Sequence, residues 1–265
     1  MNVNPDYLSV CEKAVRAAGA VLLERLGRVT VREKGQADLV TEADIASQEV
    51  VRRTVLGAFP DHALLSEEDQ PGSTRAAGAS ECRWILDPLD GTTNYVHQVP
   101  HFSVSLALER SGRLLVGAIY DPVAEECFTA THGKGARLNG APISTSNVSS
   151  VPDALVAIGL PTVVVPDAPD LRTFLEAVQV CQSIRRTGSA ALNLAYVAAG
   201  RFDACWSFTT KAWDAAAGAL LIREAGGLIT SPDGSPFVLD RGQFLAAANA
   251  ALHRQLREVM ARAGL

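Results

Sequence analysis

The stretch Trp84-Ile85-Leu86-Asp87-Pro88-Leu89-Asp90-Gly91-Thr92-Thr93-Asn94 constrains this chain more than any other. Trp84, Ile85 and Leu86 read as the end of a buried strand. Pro88 has no N–H to give to a ladder, so pairing should stop there. Asp87 and Asp90 flank it, and Gly91 permits a tight turn. The expected result is two carboxylates at a sheet edge with backbone N–H groups behind them. Two such charges 4 Å apart repel by about 1 to 4 kcal/mol, depending on the local dielectric. A divalent cation removes that penalty, and a set of oxygen ligands suits Mg²⁺. Gly91, Thr92 and Thr93 would then offer donors to an anion beside the metal. The plain alternative is an Asp-rich surface turn; the buried strand running straight into the acids argues against it.

A chain of 265 residues can build one large core or two fused lobes. With 48% hydrophobic and 20% charged residues it has a globular composition. The net charge of -5 lacks the basic footprint of a nucleic-acid binder. Without a run of 18 apolar residues, no membrane span is expected. Met1-Asn2-Val3-Asn4-Pro5-Asp6 has neither the basic nor the apolar region of a secretory signal. Cys11, Cys82, Cys127, Cys181 and Cys205 are odd in number and unpaired by spacing. They read as free thiols in a reducing cytoplasm.

Leu8, Cys11, Val15, Ala18, Leu22 and Leu26 recur at steps of three and four, which predicts a long helix closing near Gly27. Val29 and Val31 alternate with Thr30 and Arg32 as a short strand, and Lys34 to Asp38 reads as a polar loop. Thr41-Glu42-Ala43-Asp44 opens a second helix with Ile45, Val51 and Val55 inward. Asp44 is either a first-turn acid favoured by the helix dipole or an acid supporting the site. Leu64-Leu65-Ser66-Glu67-Glu68-Asp69 is a second apolar run ending in acids, which also suits a charged surface loop. If its strand lies beside the Asp87 strand, both ends serve one metal. Pro71 to Ser80 reads as a flexible connection. Phe102 to Glu109, Leu114 to Ile119 and Glu126 to Thr129 predict an antiparallel meander. His97 and His101 are separated by Pro100 and read as loop residues rather than zinc ligands. Gly133-Lys134-Gly135-Ala136 lacks phosphate-loop spacing and reads as a hairpin turn.

The pattern changes after residue 147. Short strands at Leu155 to Ile158, Ala204 to Trp206 and Gly227 to Thr230 alternate with helices. One helix is marked by Leu171, Phe174, Leu175 and Val178. A second opens at Gly188-Ser189-Ala190-Ala191 and stops at Gly200. A third opens at Trp213-Asp214-Ala215-Ala216-Ala217-Gly218 and stops at Gly226. This alternation predicts an α/β lobe over 148–265, closing a site whose acids come mostly from an N-terminal lobe over 1–147. Asp214 reads most simply as an N-cap, and the N–H groups near Ser189 as anion donors.

Asp87-Pro88-Leu89-Asp90-Gly91-Thr92-Thr93-Asn94 resembles the first signature of the inositol monophosphatase family, and Trp213 to Gly218 resembles its second. Ser66-Glu67-Glu68 resembles the family's Gly-Glu-Glu with Ser in place of Gly. Leu39 to Asp44 and Gly188 to Ala191 also match, and the matches run in one order over nearly the whole chain.

The resemblance implies a layered αβαβα fold, a Mg²⁺-dependent and lithium-sensitive phosphomonoesterase, and a homodimer. It implies Glu67, Asp87 and the Leu89 carbonyl as ligands of one metal. Asp87, Asp90 and Asp214 hold a second, and Glu67 contributes to a weaker third. Thr92, held by Asp44, and Glu67 would position the attacking water. Asp90, Gly91, Thr92 and the turn Gly188, Ser189, Ala190 would contact substrate. The expected partner is a small phosphate ester: inositol monophosphate, or alternatively histidinol phosphate, fructose bisphosphate or a 3'-phosphonucleotide. Inositol-hydrolysing relatives carry an acid seven positions before the second-signature Asp. Here Ser207 stands there, with Lys211 nearby, so a shifted specificity is expected unless Glu224 or Asp203 substitutes. Asp90→Asn is expected to keep the fold, with metal-free stability held or raised.

Overall fold

The computed structural model describes residues 6–28, 31–35, 38–69, 80–161 and 163–265. The first predicted helix is α1 (Tyr7–Arg25), capped by Asp6 and followed by Gly27 at φ +73°. Its stripe Cys11, Val15, Ala18 and Leu22 is fully buried. The β1 (Val31–Gly35) and β2 (Asp38–Thr41) strands pair antiparallel, so the segment read as a polar loop contributes ladder residues at both its ends. Val29, Thr30 and the connection Pro71 to Ala79 lie outside the described residues. Helix α2 (Glu42–Ala58) starts at its N-cap Thr41. Its buried stripe is Ala43, Asp44, Ser47, Val51 and Val55, whereas Ile45 is 51% exposed, against expectation. The helical period puts Ile45 one step off the stripe, and polar Asp44 and Ser47 take the inner positions.

Seven strands form the first sheet: β3 (Ala63–Ser66), β4 (Cys82–Asp90), β5 (Ser103–Arg110), β6 (Arg113–Asp121), β7 (Glu126–Thr131), β8 (Ala136–Leu138) and β9 (Ala141–Ile143). They lie in that order, with β3 parallel to β4 and the rest an antiparallel meander. The Gly133–Ala136 segment makes the predicted turn between β7 and β8. Helix α3 (Thr92–Val96) follows β4 directly. A second, mixed sheet contains β10 (Leu155–Ile158), β11 (Ser183–Arg185), β12 (Ala204–Ser207), β13 (Leu228–Thr230) and β14 (Phe244–Ala247), in the order β11-β10-β12-β14-β13. The first three run parallel, and β14 is antiparallel to both its neighbours.

Helices α1 and α2 cover one face of the first sheet. Helices α5 (Ala190–Ala198) and α6 (Ala212–Glu224) lie between the sheets, and α4 (Pro169–Ala177) with α7 (Ala250–Arg262) lies outside the second. This is the layered αβαβα arrangement. The middle layer depends on small residues. A Cβ on Gly117 of β6 would stand 3.0 Å from the Ala217 Cα, and one on Gly218 would stand 2.5 Å from Leu194 Cβ of α5. Gly218→Ala should therefore destabilise the protein. The gain in helix propensity is about 1 kcal/mol, against about 1–3 kcal/mol for overpacking a buried contact. Chemical denaturation should show a net loss of roughly 1 kcal/mol; a rise in stability would refute this account of the layer spacing.

Helix α4 is rotated from its predicted face. Asp170, Thr173 and Ala177 are buried, while Leu175 and Val178 are about half exposed. A polar anchor holds its orientation: Arg172 donates to the Ala263 carbonyl at 2.8 Å. All five cysteines are free thiols, four of them buried. None of the described helices is long and apolar enough to cross a membrane.

Candidate metal centre and its cleft

Strand register brings the first acids together. Ser66 of β3 pairs with Leu86 of β4, and the Glu67 N–H donates to the Leu86 carbonyl at 3.2 Å. Glu67 thus follows β3 beside Asp87, close enough for its charge to raise the Asp87 pKa. The turn is braced from α2: the Ser66 hydroxyl donates to Gln48 at 2.6 Å, and Arg52 pairs with Asp69 at 2.6 Å.

Pro88 does not end β4, as the sequence suggested. The ladder with β5 shifts register between Asp87 and Asp90 and resumes at Asp90–Ser103. An irregularity of this kind accommodates a residue that lacks an N–H. Two further bonds fix it: Ser47 of α2 donates to the Pro88 carbonyl at 2.7 Å, and the Leu89 N–H donates to Asp87 Oδ1 at 3.0 Å. Ser47 lies one helical turn after Asp44, a spacing that marks it as sharing Asp44's inward face.

Asp214 sits in the first turn of α6 rather than at its N-cap. Lys211 holds the cap position, and its N–H donates to Asp214 Oδ2 at 2.6 Å. Oxygens of Asp87, Asp90 and Asp214 all lie within 4.8 Å of one another. Burial holds the Asp87 carboxyl well above the usual range, and the charges of Glu67, Asp90 and Asp214 push it further. Burial, then the Asp90 charge, raises Asp214 to about 6. Three carboxylates this close, two of them buried, repel one another unless positive charge is shared among them. A cation would supply that charge, and the donors are all oxygens; the residues therefore fit a hard divalent ion.

Asp90 has a second set of partners that the sequence did not reveal. Its carboxylate accepts from Ala190 N at 3.1 Å, Ala191 N at 3.0 Å, Ser103 Oγ at 3.3 Å and the Ser189 hydroxyl. Ser189 is also the N-cap of α5 and is 1% exposed. The donors expected to face an anion therefore hold Asp90, at the positive end of α5. Burial nonetheless raises the Asp90 pKa, with these bonds opposing it.

Thr92 donates to the Leu89 carbonyl at 3.1 Å rather than to Asp44. Asp44 instead caps its own helix, accepting from the Thr41 N–H at 2.9 Å and the Thr41 hydroxyl at 2.6 Å. Its other oxygen is buried without a hydrogen-bond partner, and burial raises its pKa to about 6. A hydroxyl has one proton, and here the adjacent carbonyl takes it.

A cleft of about 560 Å³ opens beyond Asp90 and Asp214. Its walls follow the carboxyl ends of three parallel strands: Gly159 to Pro161 after β10, Arg186 to Ala190 after β11, and Ser207 to Lys211 at the end of β12. That is where parallel α/β sheets place their crevices. Asn94 joins the walls, donating to the carbonyls of His101 at 2.7 Å and Thr187 at 2.9 Å. Gly188 must be glycine on two counts: φ is +90°, and a Cβ would lie 2.8 Å from the Asn94 amide. Neither proposed substitute for an acid at Ser207 faces the cleft. Glu224 accepts from the N–H groups of Gly133 and Gly135, and Asp203 from Ser146 and Leu155.

The inositol monophosphatase family model matches residues 5–263. The protein Nus factor SuhB of Pseudomonas aeruginosa is 42% identical over 246 residues, covering 90% of each chain. Inositol-1-monophosphatase of Rhizobium meliloti is 39% identical over 259 residues, covering 96% of each. The solved inositol monophosphatase of Anabaena superposes with a TM-score of 0.85 at 37% identity, over 97% of this chain and 95% of that one.

Proposed function

This chain belongs to the inositol monophosphatase family, a family of phosphoric monoester hydrolases, and from that premise we propose that it is a Mg²⁺-dependent phosphomonoesterase for inositol monophosphate or a related small ester. The observation that carries the metal assignment is the convergence of three carboxylates within 4.8 Å of one another, two of which, Asp90 and Asp214, line a cleft. Glu67, Asp87 and the Leu89 carbonyl are the ligands proposed for one ion, and Asp87, Asp90 and Asp214 for another. Bound metal screens the phosphate charge, lowers the pKa of a water and stabilises the leaving oxygen. The chain's own part is positioning. Gly91 and Thr92 would hold the phosphate with backbone N–H groups, and Glu67 with Thr92 would orient the water. Thr92 can do so only when its proton leaves the Leu89 carbonyl. Assembly as a homodimer belongs to the same reading and is checked by sedimentation.

Hydrolysis of a generic aryl phosphate should vanish on exhaustive chelation and return with Mg²⁺; full activity after chelation would refute the metal assignment. Inhibition by Li⁺ at fixed Mg²⁺ is expected as well. The name of the P. aeruginosa relative supports a second role, binding a protein partner, beside catalysis. Partner binding retained by a hydrolysis-dead variant would separate the two.

The stabilisation by Mg²⁺ should depend on pH. Asp214 titrates near 3.8 when unfolded and near 6 when folded. The metal-free fold therefore binds more protons than the unfolded chain over that window, and it loses stability as pH rises from about 4 to about 6. Mg²⁺ requires the ionised ligands, so its effect should be small near pH 4 and grow above pH 6. At a concentration 100 times its Kd it would add about 2.7 kcal/mol, or roughly 5–10 °C in melting temperature for a chain of this size. A Mg²⁺-induced shift independent of pH over this range would contradict the assignment.

A further inference from the structure

The charge of the cleft beyond the metal ligands points to a narrower substrate class, an inference that rests on the phosphatase reading above. Apart from Asp90 and Asp214, the charged residues lining the cleft among the described residues are Arg186 and Lys211. Both are exposed, and among the described residues neither makes an ion pair. Arg186 follows β11 and Lys211 follows β12, and β10 lies between those strands. Two strand spacings separate the strands that carry them, roughly 10 Å. The cations therefore bracket the Gly159–Pro161 segment from opposite sides.

Between them the wall carries no charged side chain among the described residues. A Cβ on Gly159 would lie 2.7 Å from the Ser207 Oγ, so the ends of β10 and β12 pack closely here and glycine is required at 159. The hydroxyls here are partly committed: Thr210 donates to the Gly242 carbonyl, and Thr187 donates to Asn193 at 2.7 Å. Their protons are therefore not offered to a neutral polyol, and such a substrate could not neutralise the two cations. We propose that the alcohol part of the substrate carries a second anionic group, a phosphate or a carboxylate, held between Arg186 and Lys211 while the scissile phosphate sits at the carboxylate cluster. Guanidinium and ammonium donors make charge-assisted bonds to such a group, about twice as strong as neutral ones. The competing account is that Lys211 merely balances the nearby Asp214 charge.

The test compares matched substrates with Mg²⁺ present: fructose 1-phosphate against fructose 1,6-bisphosphate, and glycerol 2-phosphate against glycerate 2-phosphate. The proposal expects kcat/KM about tenfold or more higher for the member with the extra anion, falling toward equality as salt is added. A preference confined to one pair identifies the anion as phosphate or carboxylate. Lys211→Gln and Arg186→Gln should each reduce that preference about tenfold, mainly through KM, and Lys211→Arg should restore it. The bond from Lys211 to Asp214 is made by the backbone N–H, so the side-chain change preserves it. Equal kcat/KM within both pairs, or equal losses in the variants, overturns the second-anion proposal and leaves the phosphatase reading standing. No turnover of any of the four esters overturns the phosphatase reading itself, and this inference with it.

Discussion

Asp87→Asn is expected to lower Mg²⁺-dependent turnover by at least about 100-fold while making the metal-free protein more stable. The rate estimate is a floor, because groups that only support metal ligands already cost 10- to 100-fold when removed. The stability gain follows from the carboxylate cluster. Asp87 is buried and raised well above the normal carboxylate range, with Glu67, Asp90 and Asp214 adding to that shift. An asparagine keeps the shape and removes the charge. Its carbonyl can still accept the Leu89 N–H, and its amide places a donor near Asp214 in place of a like charge. The measurement is a pair of urea titrations in chelator at neutral pH, with steady-state assays in saturating Mg²⁺. Near-wild-type turnover in the folded variant would place the chemistry elsewhere. Lower metal-free stability would mean that repulsion does not dominate this cluster.

Asp90→Asn should behave differently, although the sequence treats the two aspartates alike. Asp90 accepts four hydrogen bonds, from Ser103, Ser189, Ala190 and Ala191. An asparagine must direct its amide at one of those donors, and a buried donor left unsatisfied costs about 1–3 kcal/mol. Relief of repulsion offsets part of this, but the bonds tie β4 to the start of α5, and the structural loss should prevail. We expect turnover to fall as for Asp87→Asn, together with metal-free stability lowered by roughly 1–2 kcal/mol. This reverses the sequence-based expectation that stability would hold or rise. The same titrations decide the matter, and a more stable Asp90→Asn protein would show that the α5 contacts contribute little.

How far each acid could be read from the chain follows from the range of its interactions. A buried strand running into Asp87-Pro88-Leu89-Asp90-Gly91 is a local pattern, and so are the helical stripe of α1, the meander after Phe102 and the glycines that end helices. Period and turn chemistry suffice for these. Glu67 and Asp214 were ambiguous by local pattern, since an acid after a strand and an acid at a helix start are both common. Family resemblance singled them out, and register and layering supplied the reason: β3 pairs parallel with β4, and α6 lies against the first sheet.

Within this protein, then, local sequence determined which segments become strands and helices and where the paired acids fall. Tertiary structure decided what those acids touch. It assigned the α5 N–H groups to Asp90, turned Thr92 toward Leu89, and buried Asp170 and Thr173 in place of Leu175 and Val178. It also brought Arg186 and Lys211 to one cleft from strands separated by a third. Such pairings join residues that are distant along the chain, and they depend on sheet order and helix rotation. Periodicity records only whether a face is apolar; it carries no information on which partner that face will meet.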